Sequence, residues 1–142
     1  MIFQLSKTIF VFQKIYMKIK LFLELIKLRL TLLVTFSAVF GFLLSSSQIN
    51  YFSLLILIVS GFFITGSSVI NNQIIEKDLD KLMKRTRKRP LPTNKLSSKN
   101  ALIISFILAI LGLSLMVIFL NNLTALLSFL SLLIYTFIYT PL

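Results

Sequence analysis

Every charged side chain in this sequence falls in one of two clusters. The first cluster, residues 7–29, holds six cations and one acid, and the second, residues 76–99, holds nine cations and three acids. Two long stretches without charge therefore remain, residues 30–75 and 100–142. Uncharged apolar stretches separated by positive segments are typical of a protein that crosses a membrane several times.

The composition agrees with a bilayer as the solvent. Of the 142 residues, 57% are hydrophobic and only 13% are charged, whereas soluble domains are about half apolar and about a quarter charged. The net charge of +11 would suit nucleic acid. Its confinement to two clusters argues against nucleic acid as a partner and favours contact with the anionic lipid bilayer.

Four stretches are long enough and apolar enough to cross a membrane. A helix needs ~20 apolar residues to span the hydrocarbon layer, and backbone groups in lipid must be satisfied internally. The sequence therefore predicts an all-α, polytopic membrane protein with four transmembrane helices. The predicted spans cover about 30–46, 51–75, 101–120 and 123–142.

The connectors predict the orientation of these spans. Residues 47–50 and 121–122 form short, polar, uncharged turns, while residues 76–99 form a long positive loop. Positive segments stay on the cytoplasmic side. We therefore expect an integral protein of the inner (cytoplasmic) membrane, with the N-terminus and the 76–99 loop in the cytoplasm.

Residues 1–24 differ from the four spans. Lys7, Lys14 and Lys18 recur at helical spacing among apolar residues, which predicts an amphipathic helix lying in the membrane interface. A signal peptide is disfavoured because the apolar run 9–12 is short and no small-residue cleavage site follows it. Residues 25–142 then form the membrane domain.

The chain has no Cys and no His. This excludes disulfides, thiolate zinc sites and histidine general bases. Any bound metal must be held by oxygen ligands, which favours Mg²⁺, Ca²⁺ or Mn²⁺.

Three oxygen-bearing side chains recur at the end of the second predicted span. Asn72, Glu76 and Asp80 are spaced i, i+4, i+8, so on a helix they share one face. Carboxylates beside a bilayer are costly and need a partner. Mg²⁺ typically binds one or two carboxylates together with substrate phosphates, so this face is a candidate magnesium site.

A basic run follows this face directly, and it includes Lys84, Arg85 and Arg89. Arginine offers bidentate hydrogen bonds to phosphate oxygens, and these cations would surround a diphosphate. Pro90 and Pro92 end any helix and stiffen the loop. The alternative interpretation is an ordinary solvated, positive loop with a few ion pairs.

The whole segment resembles the first aspartate-rich signature of the UbiA superfamily of intramembrane prenyltransferases. That pattern is Asn, an acid four residues on, Asp four further, and then Met-x-Arg-Thr-x-x-Arg-Pro. The matching residues are Asn72, Glu76, Asp80, Met83, Arg85, Thr86, Arg89 and Pro90. The motif's wording is closest to the branch that transfers farnesyl to protoheme IX.

Two further segments support the resemblance. Residues 25–34 are similar to the family's Thr-Lys-Pro-Arg entry to its first span, with Leu28 in place of the usual Pro. The ending Tyr139-Thr140-Pro141-Leu142 is similar to the family's fourth-span exit.

The resemblance implies an activity and a role for each candidate residue. Mg²⁺-assisted loss of diphosphate from farnesyl diphosphate would be followed by capture of the allylic cation at a vinyl group of protoheme IX. Asn72, Glu76 and Asp80 would be catalytic, with Glu76 and Asp80 as metal ligands. The residues that would bind the diphosphate are Arg85, Arg89, Lys84, Lys27 and Arg29.

The family carries a second acidic signature that this sequence lacks. All four acids of the chain lie in the two clusters already described, so we expect a missing C-terminal half and a chain that is inactive alone. Two other functions stay open. One is a UbiA-type enzyme that prenylates a quinone-precursor aromatic, and the other is a non-enzymatic four-span membrane protein.

Overall fold

A computed structural model describes the backbone of residues 2–45 and 48–140, with the side chains of residue 13 and of residues from 15 onward in those ranges. Most of the described residues are helical, and they include no β-strand. The helices are α1 (Ile2–Leu25), α2 (Leu28–Ser45), α3 (Tyr51–Ile75), α4 (Lys77–Leu82), α5 (Ser98–Phe119) and α6 (Asn122–Ile134). A π-helical turn, Tyr135–Tyr139, continues α6.

Four helical segments have the length and apolar composition needed to cross a membrane, which confirms the predicted all-α membrane architecture. They are Leu28–Ser45, Tyr51–Ile75, Ser98–Phe119 and Asn122–Tyr139. Many of their large apolar side chains are exposed, as expected for helices whose solvent is lipid. The predicted span ends at 46 and 142 lie outside the described residues.

Side-chain caps set the starts of three of these helices. The side chain of Asn50 accepts hydrogen bonds from the amides of Phe52 and Ser53, at 3.0 and 3.2 Å. Asn121 caps α6 in the same way, through the amide of Thr124 at 2.7 Å. Ser97 caps α5, so this helix begins at Ser98, three residues before the predicted start of the span.

Helix α3 lies at the centre and contacts α2, α5 and α6. It approaches α5 closely because small residues line their contact. Ser60 and Ser67 on α3 are buried, as are Ser105 and Gly112 on α5. The Ser105 hydroxyl lies 2.9 Å from the Ser67 hydroxyl. Small residues and interhelical hydrogen bonds are the usual means of helix association in lipid, where the hydrophobic effect gives little drive.

Two apolar clusters hold the bundle together. One surrounds Ile64 and Met116 in the middle of the helices. The other lies where α1, α3, the 83–97 loop and α5 meet, and it includes Ile26, Ile70 and Leu91. Leu91 is fully buried, so the loop between α4 and α5 is anchored to the bundle.

The N-terminal helix α1 ends beside this second cluster. Its backbone is helical, but the side chains of residues 2–12 and 14, with Lys7 and Lys14 among them, lie outside the described residues. The interfacial, amphipathic character of residues 1–24 therefore stays a prediction.

Candidate functional site

The backbone keeps an α-helical register from the end of α3 into α4. The amide of Glu76 donates to the carbonyl of Asn72 at 2.9 Å, and the amide of Asp80 donates to the carbonyl of Glu76 at 2.8 Å. These successive i+4 bonds place Asn72, Glu76 and Asp80 one above another on a single face. Asn72 and Asp80 are buried, and Glu76 is half-buried.

Asp80 holds the loop that follows α4. Its carboxylate oxygen Oδ2 lies 2.6 Å from Nη1 of Arg89, and its backbone carbonyl accepts a hydrogen bond from the hydroxyl of Thr86 at 3.1 Å. The Asp80 side chain is only 5% exposed, and that of Arg89 is 23% exposed. The loop thus folds back so that one arginine of the basic run reaches the acidic face.

Asn72 holds two other parts of the chain to the same face. Its oxygen Oδ1 accepts a hydrogen bond from the ammonium of Lys27 at 3.5 Å. Its amide nitrogen Nδ2 donates to the hydroxyl of Thr140 at 3.3 Å. Lys27 belongs to the junction between α1 and α2, and Thr140 follows the π-helical turn. Three distant segments therefore meet at one amide.

Lys27 has a left-handed backbone, with a φ of 46°. That conformation costs a residue with a Cβ roughly 1–2 kcal/mol, and such strain is found where the surrounding structure fixes a side chain. Here the carbonyl of Lys27 accepts hydrogen bonds from the amides of Leu30 and Thr31, at 2.8 and 3.2 Å, which begin α2. The sharp junction turns the lysine toward Asn72.

Lys27 is surrounded by charges of both signs. Burial, followed by the Arg89 guanidinium, lowers the pKa of Lys27, and the carboxylates of Glu76 and Asp80 act in the opposite direction. The Arg85 guanidinium has the smallest effect and also lowers the pKa of Lys27. Two carboxylates and two arginines therefore lie within electrostatic range of Lys27 at the end of α3.

Asp78 does not belong to this group, although it lies between Glu76 and Asp80 in sequence. Its side chain is 90% exposed and pairs with Lys81 at 2.8 Å. The hydrogen bond from Lys81 lowers the pKa of Asp78. Helical spacing explains the difference, since positions two residues apart point to opposite sides.

The predicted diphosphate-binding residues fall into two groups, those that contact the carboxylate face and those that are exposed. Lys27 and Arg89 contact the face directly, through Asn72 and Asp80. Arg85, Lys84 and Arg29 are exposed, and Arg29 lines a separate apolar groove of about 680 Å³ along α2. Arg85 joins the group only through its charge, which acts on Lys27.

An apolar cavity of about 470 Å³ lies between α2, α3 and α6. Its wall includes Tyr135, whose phenol lies within electrostatic range of Glu76. Five further hydroxyl groups on α3 and α6 lie in an otherwise apolar lining, those of Thr65, Ser68, Thr124, Ser128 and Ser131. The cavity is therefore apolar apart from hydroxyl groups, and its Tyr135 end lies toward Glu76 of the carboxylate face.

The oxygen donors of this face suit a metal that also binds phosphate. Within residues 2–45 and 48–140, no group of three or more His, Cys, Asp or Glu side chains is close enough to enclose a metal ion. Glu76 and Asp80 provide two carboxylates, and one oxygen of Asp80 is already used by Arg89. Such a pair fits Mg²⁺, which commonly takes its remaining ligands from water and substrate phosphates.

Four residues of this site were not assigned a role from the sequence. Thr86 and Thr140 could have drawn attention, since both fall in segments that resemble the family. Gln73 and Tyr135 gave no signal. The side-chain amide of the fully buried Gln73 donates a hydrogen bond to the carbonyl of Leu25, which holds the end of α1 against α3.

Comparison with known proteins adds a family and several relatives. The UbiA prenyltransferase family matches residues 33–142. A protein of Cytophaga hutchinsonii named protoheme IX farnesyltransferase is 42% identical over 122 residues, which are 85% of this chain and 43% of that protein. The proteins with the same name from Flavobacterium psychrophilum and Legionella pneumophila (strain Lens) are 41% and 34% identical. Each match covers about 85% of this chain and 41% of the relative.

This chain thus spans about two fifths of the length of the curated relatives it matches. No solved structure matches it significantly.

Proposed function

Because this chain belongs to the UbiA prenyltransferase family, we propose that it is the diphosphate-binding part of a protoheme IX farnesyltransferase, or heme O synthase. The observation that carries the proposal is the single helical face of Asn72, Glu76 and Asp80 beside an apolar cavity. A prenyl diphosphate has the same division, with a charged head and an apolar tail.

The cavity is suited to the farnesyl chain. Its volume of about 470 Å³ lies within the range of about 300–1,000 Å³ that is usual for ligand sites. Tyr135 lines the cavity and lies within electrostatic range of Glu76, so the diphosphate would leave the apolar lining at that end. Farnesyl diphosphate is accordingly the proposed donor substrate.

Glu76 and Asp80 are the residues that would hold Mg²⁺. When bound, the ion would supply charge compensation for the departing diphosphate. Arg89 keeps the Asp80 carboxylate oriented, since the two groups pair at 2.6 Å. Thr86 fixes the backbone of the same residue.

Lys27 and Arg89 are the cations that would bind the diphosphate oxygens, with Arg85 approaching from the exposed loop. A lysine whose ammonium is disfavoured by burial gains most from an incoming anion. Donors fixed before the reaction stabilise developing negative charge without reorganisation. Arg29 and Lys84 rank below these residues because, in the described part of the chain, neither forms a hydrogen bond or ion pair with the face.

The names of the relatives support protoheme IX as the acceptor. A quinone-precursor aromatic is the competing acceptor, and product analysis separates the two. Formation of heme O would support the first, and a prenylated aromatic acid would support the second.

The charge distribution supports an inner-membrane location with residues 76–99 in the cytoplasm. In that orientation the carboxylate face, the basic loop and Lys27 all lie at the cytoplasmic mouth of α3.

Binding of farnesyl thiodiphosphate, which is not readily hydrolysed, tests the proposal on the chain reconstituted in lipid nanodiscs. We expect binding that requires Mg²⁺. Asp80→Asn and Glu76→Gln should each weaken it by at least about tenfold, because even outer-shell partners of a metal are worth ten- to a hundredfold. The matched control is Asp78→Asn, which removes an exposed carboxylate two residues away.

Glu76→Gln is the sharper variant. Glu76 makes no ion pair within the part of the chain that the structure describes, so its replacement leaves the loop anchored by Asp80 and Arg89. Binding that is independent of Mg²⁺, or equal in Glu76→Gln and the native chain, would contradict the metal assignment.

A further inference from the structure

The side chain of Asn72 uses both ends of its amide to connect segments far apart in sequence. Lys27, which is 45 residues away, donates to Oδ1 at 3.5 Å. Thr140, which is 68 residues away, accepts from Nδ2 at 3.3 Å. The Thr140 hydroxyl in turn donates to the carbonyl of Tyr135 at 2.8 Å. A continuous chain of three hydrogen bonds therefore runs from Lys27 to the turn that follows α6.

The donor-to-acceptor direction of this series of hydrogen bonds is fixed by the groups at its two ends. An ammonium group can only donate and a backbone carbonyl can only accept. The oxygen of Asn72 must therefore face Lys27, its NH₂ group must face Thr140, and the Thr140 hydroxyl must point at Tyr135. An amide rotated by 180° would present NH₂ to the ammonium and oxygen to a hydroxyl already directed elsewhere.

The π-helical turn places the Thr140 hydroxyl within hydrogen-bonding distance of Asn72. The carbonyl of Tyr135 accepts both the backbone amide of Thr140, at 3.1 Å, and its hydroxyl. The wider i+5 turn therefore places Thr140 beside Asn72. Single π turns are rare and are found frequently at functional sites.

We infer that Thr140 is a positioning residue for diphosphate binding. Its hydroxyl holds the Asn72 amide in the orientation that keeps the Lys27 ammonium beside Glu76 and Asp80. Thr140 need not touch the substrate, because it acts through Asn72. The inference rests on the proposed function, since it assumes that Lys27 meets a diphosphate.

Substitution of Thr140 on the chain in nanodiscs, with farnesyl thiodiphosphate and Mg²⁺ as the probe, tests this role. Thr140→Val keeps the volume and removes the hydroxyl, and we expect affinity to fall about three- to tenfold. That range follows from the modest strength of single hydrogen bonds in membranes and the larger value for bonds to charged groups. Thr140→Ser restores the hydroxyl and should restore affinity.

Thr136→Val is the matched control. Thr136 belongs to the same π turn and is buried, but its hydroxyl has no hydrogen-bond partner among the described residues. The same chemical change there should leave affinity as in the native chain. An Asn72→Ala background adds a second test, because Thr140→Val should then have no further effect if it acts through the amide.

The outcomes separate this inference from the proposed function. If the native chain does not bind the probe, the proposed function fails. If it binds and folded Thr140→Val binds equally well, the positioning role is wrong. If Thr140→Val does not fold, hydrogen exchange of the Asn72 side-chain amide in the native chain decides, since the inference requires a protected NH₂ proton and rapid exchange would overturn it.

Discussion

Asp80 contributes to the site in two separate ways, and a loss of function on its replacement has two explanations. Its carboxylate pairs with Arg89 at 2.6 Å, and its carbonyl accepts a hydrogen bond from Thr86. Removing the Asp80 carboxylate leaves the partly exposed Arg89 guanidinium unpaired, which destabilises the loop. Asp80→Asn should therefore weaken both the proposed metal binding and the loop. Replacement of Glu76 is the better test of metal binding, because the loop does not depend on the Glu76 carboxylate.

Lys27 should make the free energy of unfolding depend on pH. Burial and then Arg89 lower the pKa of Lys27 below 10.5, so in the window between its folded pKa and 10.5 the unfolded chain holds more protons. The free energy of unfolding should therefore rise with pH through that window. Lys27→Met should remove this rise, as measured by denaturant titration in detergent across the alkaline range. Lys84→Met, which removes an exposed lysine of the loop, is the control, and an unchanged slope in Lys27→Met would contradict the assignment.

The local part of the site follows from sequence, and the distant part does not. Spacing alone predicts that Asn72, Glu76 and Asp80 share a face, since the helical period determines it. Spacing cannot show that Lys27 and Thr140 reach Asn72, because those contacts depend on how α1, α3 and α6 pack. It also cannot separate Arg89 from the neighbouring basic residues. Only the folded loop shows which cation meets Asp80.

The membrane-spanning helices could be predicted because lipid requires long apolar runs, and such runs are visible in consecutive residues of the sequence. Their exact bounds depend on single capping residues, such as Ser97 at the start of α5. The helical register through Asp80 followed from the spacing, but the break between α3 and α4 at Glu76 and the π turn Tyr135–Tyr139 did not.

The contact between α3 and α5 depends on Gly112. A Cβ at this position would lie 2.6 Å from Cγ1 of Ile64 and 3.0 Å from the carbonyl oxygen of Ser60. Because one of these neighbours is backbone, the helices must separate. We expect Gly112→Ala to lower the free energy of unfolding by about 1–3 kcal/mol, as overpacked sites do.

Gly41→Ala provides the comparison for that substitution. Nothing lies within 4 Å of a Cβ built at Gly41 on α2, and alanine is the better helix former by about 1 kcal/mol. This variant should be as stable as the native chain or more so in the same titration. Equal stability of Gly112→Ala and Gly41→Ala would show that α3 and α5 are not in close contact.

At the scale of the whole molecule, the orientation in the membrane can be tested on single positions. The chain contains no Cys, so each introduced cysteine is a unique label site. Gln48 and Lys88 are both exposed, and they lie beyond opposite ends of α3. We expect an impermeant thiol reagent to label Gln48→Cys from outside intact cells and Lys88→Cys only after permeabilisation. The reverse pattern would contradict the cytoplasmic assignment of residues 76–99.

Turnover by residues 1–142 alone is the broadest test, and we expect none. The chain has four acids, of which Glu24 and Asp78 are exposed, so the face has one carboxylate pair with which to hold metal and diphosphate. Loss of a single stabilising group at a developing charge typically costs about 10²–10³ in rate. The spans should still insert, because insertion follows hydrophobicity and precedes helix association.

The measurement is heme O, read by chromatography, in cells that lack their own heme O synthase and express only these residues. The full-length Cytophaga hutchinsonii relative serves as the positive control. Heme O from residues 1–142 would show that one carboxylate pair suffices, and would strengthen the assignment of protoheme IX as acceptor.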